Sequence, residues 1–435
     1  MPPPPPPQQQ QQEPADDQTA LLPHATHPLP RFVLYAQTHH KPGPAPQEPV
    51  SLLPLLTKDT GVTHVIVAAI HLNEGPGNIT LNDDPPDSPK FDTLWGEVAW
   101  LKGAGVKVMG MLGGAAKGSY WRLQGSAEEF EAYYTPLASL IRRHALDGLD
   151  LDVEEQIELP TLLRLLTRLR ADFGPSFLTT LAPVATALVP DMRFPPDTYI
   201  PTDPATGSPT APPMTIPKSL PHLSGFSHFA LEAGHGSLVS WYNVQFYNGW
   251  GDARETRLYD AIVAAGWPPA KVVLGVLTNA RNGGSGYVAP PLLEDVLRVC
   301  RARFPASSGG AGEHRPRCFG GVMAWEYFNA GANDGEAETA AAQALPHAGR
   351  PWEWAQRVGR VVRAALPPGG GVDAGRGVER TAPGAQMPVL PETQVPWPAA
   401  VDQLVELGFG RQHAIAALNA TDGNVEMAAG LLFEQ

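Results

Sequence analysis

Short apolar runs alternate with helix-like patterns along most of this 435-residue chain, and this alternation constrains the fold more than any other feature. Eight runs rich in β-branched or apolar residues have the length of strands. They are Phe32–Ala36, His64–Ala69, Lys107–Leu112, Gly148–Val153, Phe177–Ala182, Tyr242–Tyr247, Val272–Leu277 and Gly320–Trp325. Eight strands alternating with helices over about 335 residues predict an α/β fold, a (β/α)8 TIM barrel of ordinary size. A doubly wound sheet is the competing architecture, but it normally has fewer strands and a glycine-rich turn after its first strand, and none follows Phe32–Ala36.

Capping signals as well as periodicity mark the helical segments. Ser126-Ala127-Glu128-Glu129 is a capping box that predicts a helix over Ser126–His144. Gly174 follows Leu159–Phe173 and is typical of a helix end. The other predicted helices are Phe91–Lys102, Ala253–Ala265, Leu292–Phe304 and Trp352–Ala365.

The fourth apolar run lies within Asp147–Glu155 and carries acidic residues at alternate positions. Because side chains alternate along a strand, Asp150, Asp152 and Glu154 share one face. Aspartate is a poor strand former and close carboxylates repel each other, so this face is either solvated at a sheet edge or used for chemistry. Helical patterns on both sides of the run favour a parallel sheet with both faces covered. Acids at the C-terminal end of such a strand indicate an active site.

In a barrel these three carboxylates would point inward, with Glu154 highest, at the rim where barrel enzymes work. Carboxylates this close cannot all ionise easily, so the pKa of one of them should rise, as a general acid near neutral pH requires. The spacing therefore favours Glu154 as the proton donor, with Asp152 below it sharing a proton.

Other strand ends predict a polar cleft with an aromatic floor. Gly113 and Gly114 close the third strand and would let a ligand approach the floor. The sixth strand ends with inward-facing Gln245 and Tyr247, which are both hydrogen-bonding groups. Trp325 ends the eighth strand, where an aromatic plane is suited to stacking against a sugar ring. Taken singly, a barrel tryptophan is more often core and a glycine pair more often a turn, so the prediction depends on their combination.

The acidic segment Asp147–Glu154 resembles the strand-four signature of glycoside hydrolase family 18, the chitinase family. The segments Gln245–Asn248 and Gly320–Trp325 are similar to the plant class III and fungal branch of that family. The resemblance covers residues 30 to 365 approximately. The chain departs from the family at Met111, where serine is usual, and at Tyr35-Ala36-Gln37, a shortened form of the branch's Tyr-Trp-Gly-Gln.

The resemblance implies a retaining, substrate-assisted glycosidase that needs no metal or other cofactor. Glu154 would protonate the leaving glycosidic oxygen while the substrate's own N-acetyl oxygen attacks the anomeric carbon to form an oxazolinium ion. Asp152 would orient the acetamido N–H with support from Asp150, and Tyr247 would hydrogen-bond the acetyl oxygen. The residues expected to bind the substrate are Trp325, Gln245, Asn248, Gly113, Gly114 and Tyr35.

Composition divides the chain into four parts. Residues 1–28 are a Pro/Gln-rich tail that we expect to be disordered, and residues 29–366 form the barrel. Residues 367–395 are rich in Pro and Gly and predict a flexible linker before a small module at 396–435. A proline-rich insertion, Pro190–Pro221, follows the fifth strand and should sit above the top face of the barrel, as a wall of the cleft.

The C-terminal module resembles a ubiquitin-associated (UBA) domain, a small three-helix bundle. Leu407-Gly408-Phe409 stands where such domains carry Met-Gly-Phe or Met-Gly-Tyr, and Asp422–Ala428 is similar to the start of the third helix. The resemblance implies that the module binds ubiquitin or polyubiquitin; the alternative is a helical bundle with no partner. The expected ubiquitin contacts are Leu407, Gly408, Phe409, Leu431 and Leu432.

Composition also argues against several classes of protein. The formal net charge is -13, and no basic stretch with interleaved aromatics offsets it, so nucleic acid is not expected as a partner. The chain begins with proline and glutamine instead of a secretory signal, and no apolar run is long enough for a membrane helix. Two cysteines, Cys300 and Cys318, are too few for a disulfide framework. These features predict a cytoplasmic protein with no membrane partner.

Three classes of function compete. The leading hypothesis is an endo-acting hydrolase that cleaves β-1,4 bonds next to N-acetylglucosamine, in chitin oligomers or in the N-glycan cores of ubiquitinated glycoproteins. The strand-six and strand-eight residues favour chitin, whereas the ubiquitin-binding tail and the missing secretory signal favour N-glycans. A non-catalytic chitin-binding lectin and a ubiquitin adaptor are the other classes. Glu154, with Tyr247 and Trp325, argues against both.

Overall fold

The computed structural model of the chain describes residues 29–44, 47–204, 206–305, 318–331, 350–364 and 398–407, with single positions at 414, 418, 425, 428 and 429. Its strands are β1 Arg31–Ala36, β2 His64–Leu72, β3 Ile79–Leu81, β4 Lys107–Gly113, β5 Gly148–Asp152, β6 Leu178–Leu181, β7 Asp197–Tyr199, β8 Met214–Ile216, β9 Trp241–Gln245, β10 Val272–Leu277 and β11 Gly321–Trp325. Its α-helices are α1 Pro54–Thr57, α2 Asp92–Gly103, α3 Ala127–Arg143, α4 Leu159–Phe173, α5 His228–His235, α6 Arg257–Ala264, α7 Pro290–Arg303, α8 Pro351–Arg363 and α9 Pro398–Glu406. No helix in these ranges is long and apolar enough to cross a membrane.

Eight parallel strands close into a barrel. Neighbours pair in the order β1-β11-β10-β9-β6-β5-β4-β2, and β1 also pairs with β2. Because the two ends of this sheet pair with each other, the predicted TIM barrel is confirmed and the open, doubly wound sheet is excluded. The short strand β3 runs antiparallel to β2 and pairs with the end of that strand.

Alternate residues of β5 face opposite sides of the barrel wall. Leu149 and Leu151 belong to the large core between the strands and the surrounding helices. Asp150 is completely buried and Asp152 is 7% exposed, so the hypothesis of a solvated edge strand is wrong. A Cβ atom at Gly148 would collide with the carbonyl oxygen of Leu178, so the close approach of β5 to β6 requires glycine at this position.

The helix ends follow the capping signals in the sequence. Ser126 caps α3 through a complete capping box, in which its side chain accepts from the Glu129 N–H and the Glu129 side chain accepts from the Ser126 N–H. Helix α4 spans the predicted residues Leu159–Phe173 and is followed by Gly174. These caps fix where α3 enters and α4 leaves the layer around β5.

Two strands end more than one residue away from their predicted ends near the rim. β2 continues three residues beyond the predicted end, to Leu72, with an irregular register against β4 between Val67 and Ile70. This extension brings His71 to the rim. β9 ends at Gln245, so Tyr247 follows the strand instead of closing it.

The insertion that follows the fifth barrel strand folds into a hairpin of its own. β7 pairs antiparallel with β8, and a bridge between Pro190 and Ser219 closes the base of the hairpin. The hairpin contacts α5, where the Tyr199 hydroxyl lies 3.0 Å from Nε2 of His235. No described residue of the insertion lines the cavity at the C-terminal ends of the barrel strands, so the expected cleft wall is not formed there.

The C-terminal module has a small apolar core of its own. Val401 and Leu404 of α9 are buried in a cluster with Ala414, Leu418 and Ala428. The side chain of Leu407, one predicted ubiquitin contact, is 57% exposed. The other predicted contacts, Gly408, Phe409, Leu431 and Leu432, lie outside the described residues, as do the predicted tail at 1–28 and linker at 367–395.

Candidate active site

A cavity of about 400 Å³ opens at the C-terminal ends of the barrel strands. Eight of the predicted catalytic and substrate-binding residues line it, and they come from strand ends that are far apart in sequence. They are Gly113, Gly114, Asp152, Glu154, Gln245, Tyr247, Asn248 and Trp325. The same cavity is also lined by residues that we did not predict as substrate contacts, Gln37, Ala69, His71, Met111, Ala115, Ala116 and Asn282.

One amide joins the two upper carboxyl groups. Nε2 of Gln245 lies 3.2 Å from both Oδ1 of Asp152 and Oε1 of Glu154, and it also donates to the carbonyl oxygen of Ala182 at 2.9 Å. An amide nitrogen has two protons for these three acceptors, so at least one donation is shared. Gln245, predicted to bind substrate, therefore holds the carboxyl groups of Asp152 and Glu154 close to one another.

Burial and mutual repulsion favour the protonated state of this pair. Burial raises the pKa of Asp152 well above its usual value, and the charges of Glu154 and Asp150 add to the rise. Burial also raises the pKa of Glu154, although the hydrogen bond from Gln245 and the charge of Lys117 oppose the change. The pair is therefore expected to retain a proton at pH values where an exposed carboxyl group is ionised.

Asp150 has a different environment at the bottom of the same row. Its Oδ2 accepts a hydrogen bond of 2.6 Å from the Tyr35 hydroxyl. Its Oδ1 accepts from the Thr180 hydroxyl at 2.5 Å and from Nδ2 of Asn243 at 3.0 Å. Burial raises the pKa of Asp150, and these three donors oppose the rise. Tyr35, predicted to bind substrate, is 1% exposed and lies under the cavity as a partner of Asp150.

The end of β4 leaves room for the carboxyl groups. Gly113 has φ +93°, and a Cβ atom there would lie 2.5 Å from the Asp152 carbonyl oxygen and 2.6 Å from the Tyr120 ring. The N–H of Gly114 donates to that same carbonyl oxygen at 2.9 Å. Glu155 anchors the loop that follows by accepting from the N–H groups of Gly118 and Tyr120. Glu155 is thus a structural carboxylate, although it adjoins Glu154 in sequence.

Aromatic side chains form one side of the cavity. Trp325 is partly exposed, and its ring packs edge-on against Tyr35 with the centroids 5.4 Å apart. The pKa of Tyr247 is raised well above its usual value by burial and by the charges of Asp152 and Glu154. Its hydroxyl is therefore protonated at neutral pH and can donate a hydrogen bond.

Asn248 connects two loops at the rim of the cavity. It adopts a positive φ of 56°, and its side-chain oxygen accepts a 2.8 Å hydrogen bond from the Gly284 N–H. The Asn248 N–H donates to Ser285 at 3.0 Å. Asn248 therefore lines the cavity and also holds the loop after β10 in place.

Several functional neighbours were missed by the sequence analysis. Asn243 stands two residues before Gln245 on β9, so strand periodicity alone could have placed it on the inward face. Thr180 is an inward residue of β6, but threonine is common in strands and carries no chemical signal there. His71 depends on the irregular end of β2, and Asn282 lies in a loop, so neither has a regular pattern that predicts its position.

A resident metal has no candidate ligand set in the described ranges, where no group of three or more His, Cys, Asp or Glu side chains is arranged to hold one. The polar side chains that line the cavity carry carboxyl, amide, phenol, indole and imidazole groups. Such a set can donate and accept protons and can hydrogen-bond a sugar.

Comparisons with known proteins agree on the barrel. The family model for glycosyl hydrolases family 18 matches residues 31–190. The chain is 48% identical to a chitinase, ChiC, from Aspergillus fumigatus, over 72% of this chain and 97% of that chain, with a TM-score of 0.58. It is 39% identical to a fungal endo-β-N-acetylglucosaminidase from glycosyl hydrolase family 18, over 78% of this chain and 100% of that chain, with a TM-score of 0.60. No match was found among the curated proteins.

The C-terminal module is identified in the same way. The family model for the UBA/TS-N domain matches residues 398–432, a range that includes α9 and the small apolar cluster. Both predicted resemblances are thus confirmed. The closed barrel, the family model and two relatives of 48% and 39% identity together establish that the chain belongs to glycosyl hydrolase family 18 and is a glycoside hydrolase with a C-terminal UBA domain.

Proposed function

We propose that the protein is a retaining endo-glycosidase that hydrolyses β-1,4 bonds next to N-acetylglucosamine by a substrate-assisted mechanism. The observation that carries the proposal is the row of carboxyl groups, in which Gln245 joins Asp152 to Glu154 above a fully buried Asp150. It provides a protonated acid at the cavity surface and a second carboxyl group beside it. Both are needed when the substrate supplies its own nucleophile.

In the first step Glu154 gives its proton to the glycosidic oxygen, and the bond from that oxygen to the anomeric carbon breaks with its electron pair on the leaving sugar. The acetyl carbonyl oxygen of the substrate forms the new bond to that carbon, which closes an oxazolinium ring. In the second step a water molecule gives a proton to Glu154 and attacks the anomeric carbon, while the bond from that carbon to the acetyl oxygen breaks and its electron pair returns to the acetamido group. Two displacements on opposite faces return the original configuration.

Asp152 and Tyr247 act on the acetamido group. Asp152 accepts a hydrogen bond from the acetamido N–H and balances the positive charge that develops on the ring, which requires the proton that it shares with Glu154 to lie on Glu154. Tyr247 donates its hydroxyl proton to the acetyl oxygen and turns that oxygen toward the anomeric carbon. Such preorganised contacts stabilise the charge that develops in the transition state.

The leading substrate is a chitin oligomer. The relative with 48% identity is a chitinase, and the inward residues of β9 and β11 include the Gln245 and Trp325 positions on which the resemblance to the class III and fungal branch rests. Trp325 is partly exposed and lines the cavity, where one N-acetylglucosamine ring would stack against it.

N-glycan cores are the second candidate substrate, favoured by a larger cavity beside the first. This chamber of about 880 Å³ shares Gln37, His71 and Ala116 with the catalytic cavity. Its lining is mainly polar, and its aromatic residue, Phe91, is 1% exposed and offers no stacking surface. A wide, polar chamber is suited to a branched, hydroxyl-rich glycan, and the relative with 39% identity is an endo-β-N-acetylglucosaminidase.

The UBA domain would bring the hydrolase to ubiquitin or polyubiquitin. Leu407 is exposed next to the end of α9, where an apolar side chain is available for a partner. We propose further that the barrel spans 29–366 and the UBA domain 396–435, with 367–395 as the linker between them.

The proposal is tested by incubating the full-length protein with a chitin oligomer and with a high-mannose glycoprotein, followed by product analysis. We expect cleavage of at least one substrate, and a loss of about 10²- to 10⁴-fold in kcat for Glu154→Gln, because the general acid is removed. Glu158→Gln is the matched control, since Glu158 is exposed just before α4. If neither substrate is cut, or if Glu154→Gln and the control have equal activity, the proposed function is wrong.

A further inference from the structure

Asp150 has two cross-strand neighbours in the barrel wall, and only one of them can donate a hydrogen bond. It lies opposite Met111 on β4 and opposite Thr180 on β6. The thioether of Met111 has no proton to donate. The Thr180 hydroxyl lies 2.5 Å from Oδ1 of Asp150, and both residues are completely buried. Of the two strands that neighbour β5, only β6 therefore supplies a side-chain hydrogen bond to Asp150, from Thr180.

β9 presents two amide side chains at the same spacing as the carboxyl groups of β5. Gln245 faces Asp152 and Glu154, and Asn243, two residues earlier, faces Asp150. The indole N–H of Trp241 donates to Oδ1 of Asn243 at 2.9 Å. This contact fixes the orientation of the amide, because the oxygen of Asn243 is occupied and its NH₂ group must face Asp150.

We propose that Thr180 and Asn243 are positioning residues that keep Asp150 ionised, so that the mobile proton of the carboxyl row stays on Asp152 and Glu154. This inference rests on the proposed function and adds two residues to it. An ionised carboxylate only accepts hydrogen bonds, and Asp150 meets donors from Thr180, Asn243 and Tyr35. Donors favour the charged form of a carboxyl group even when it is buried.

The charge of Asp150 then acts on the residues above it. It raises the pKa of Asp152, in addition to the larger effect of burial and the charge of Glu154. When a donor to Asp150 is removed, its ionised form becomes less stable and it takes a proton more readily. The repulsion that keeps a proton on Asp152 and Glu154 decreases, so the acid loses its proton at a lower pH. The alkaline limb of the activity profile should move in the same direction.

Other titratable groups face this row from the packed elements. They are Tyr35 on β1, Tyr120 and Lys117 in the loop after β4, Glu155 after β5 and Tyr247 after β9. The pKa values of all three tyrosines are raised by burial, so these groups are neutral throughout the range of the test. Lys117 and Glu155 are unchanged in every variant proposed below.

The experiment measures kcat/KM against pH for the full-length protein and for variants that remove or keep a hydrogen-bond donor. Thr180→Val keeps the shape of the side chain and removes the donor, whereas Thr180→Ser keeps the donor. Thr179→Val is the matched control, because Thr179 is the adjacent buried residue of β6 and its hydroxyl donates to the Leu238 carbonyl oxygen instead. Asn243→Leu removes the second donor from a different strand.

We expect Thr180→Val and Asn243→Leu to move the alkaline limb to lower pH by about one unit, the smallest effect usual for a nearby charge. Thr180→Ser and Thr179→Val should keep the wild-type limb.

The inference is overturned if the limb stays in place in both donor variants while they fold and cleave, or if Thr179→Val shifts it equally. If Thr180→Val does not fold, the position of the alkaline limb in Asn243→Leu decides whether the inference holds. Failure of the proposed function is distinct, because then the wild type itself would cleave neither substrate.

Discussion

The carboxyl groups of Asp150, Asp152 and Glu154 differ in chemistry because their surroundings differ. Asp150 is surrounded by hydroxyl and amide donors, whereas Asp152 and Glu154 share one amide and experience each other's charge. Hydrogen-bond donors favour the ionised form, and burial beside another carboxylate favours the protonated form. On this account the row has a charged lower end and an upper end that holds the proton needed for catalysis.

The raised pKa of Asp152 predicts how stability depends on pH. Asp152 in the folded protein keeps a proton that it releases near pH 4 in the unfolded chain, so the contribution of Asp152 to stability should fall as pH rises above that value. Asp152→Asn removes this titration, and its free energy of unfolding relative to wild type should increase with pH by up to about 1.4 kcal/mol per unit. Denaturant unfolding of both proteins between pH 4 and pH 8 measures the difference. A difference that is constant across this range would contradict the raised pKa.

The acidic residues of the site could be predicted at this scale, but several of their partners could not. Asp150, Asp152 and Glu154 are conspicuous because three acids occupy alternate positions of a strand. Thr180 has no such signal, since threonine is common in strands and its role comes only from its register opposite Asp150. A contact set by the register between distant strands is not visible in either strand alone.

At the scale of an element, β4 shows why the two ends of one strand tolerate different changes. Gly113 is the last residue of the strand and lines the cavity, whereas Gly105 precedes the strand at the opposite end of the barrel. Both residues have φ near +90°. A Cβ atom at Gly105 would have no neighbour within 4 Å, whereas at Gly113 it would overlap the Asp152 carbonyl oxygen and the Tyr120 ring.

Alanine substitutions at these two glycines should therefore differ. Gly105→Ala should cost about 1 kcal/mol of unfolding free energy, from backbone strain alone. Gly113→Ala should cost about 1–3 kcal/mol more, because of overpacking, and should reduce kcat by displacing Asp152. Urea denaturation and a kinetic assay measure both effects. Equal losses of stability with full activity in both variants would show that the end of β4 does not position the carboxyl group.

Element positions were predictable wherever periodicity was regular. The alternation of apolar runs predicted all eight barrel strands, and the Ser126–Glu129 box predicted the start of α3. The end of β2 was not predicted, because the register changes between Val67 and Ile70 and strand periodicity is lost there. The position of the insertion was also predicted wrongly with respect to the cavity, since its hairpin contacts α5 instead.

At the scale of the whole molecule, we propose that the chain combines a hydrolase with a ubiquitin-binding module. The barrel contains its own apolar cores, and the module has a separate cluster around Val401 and Leu404. Because the two domains have separate cores, we expect that hydrolysis and ubiquitin binding can each be lost without the other.

Ubiquitin titration of the full-length protein, followed by NMR, tests the second activity. We expect the signals of Gly408, Phe409 and Leu432 to shift, and Leu407→Ala to weaken the response because an exposed apolar contact is lost. Leu407→Ala should leave the hydrolysis rate unchanged. No shifts at millimolar ubiquitin would remove the binding proposal without affecting the hydrolase.

The most direct test of the central claim is the configuration of the first product, followed by NMR during hydrolysis of an N-acetylglucosamine oligomer. Substrate assistance predicts that the β-anomer forms first and that replacing the acetamido group by a free amine at the cleaved residue abolishes cleavage. The acetyl oxygen is the proposed nucleophile. A substrate without it gives Asp152 and Tyr247 no acetamido group to orient, so the anomeric carbon is not attacked. Initial formation of the α-anomer, or equal cleavage of the deacetylated substrate, would contradict the account.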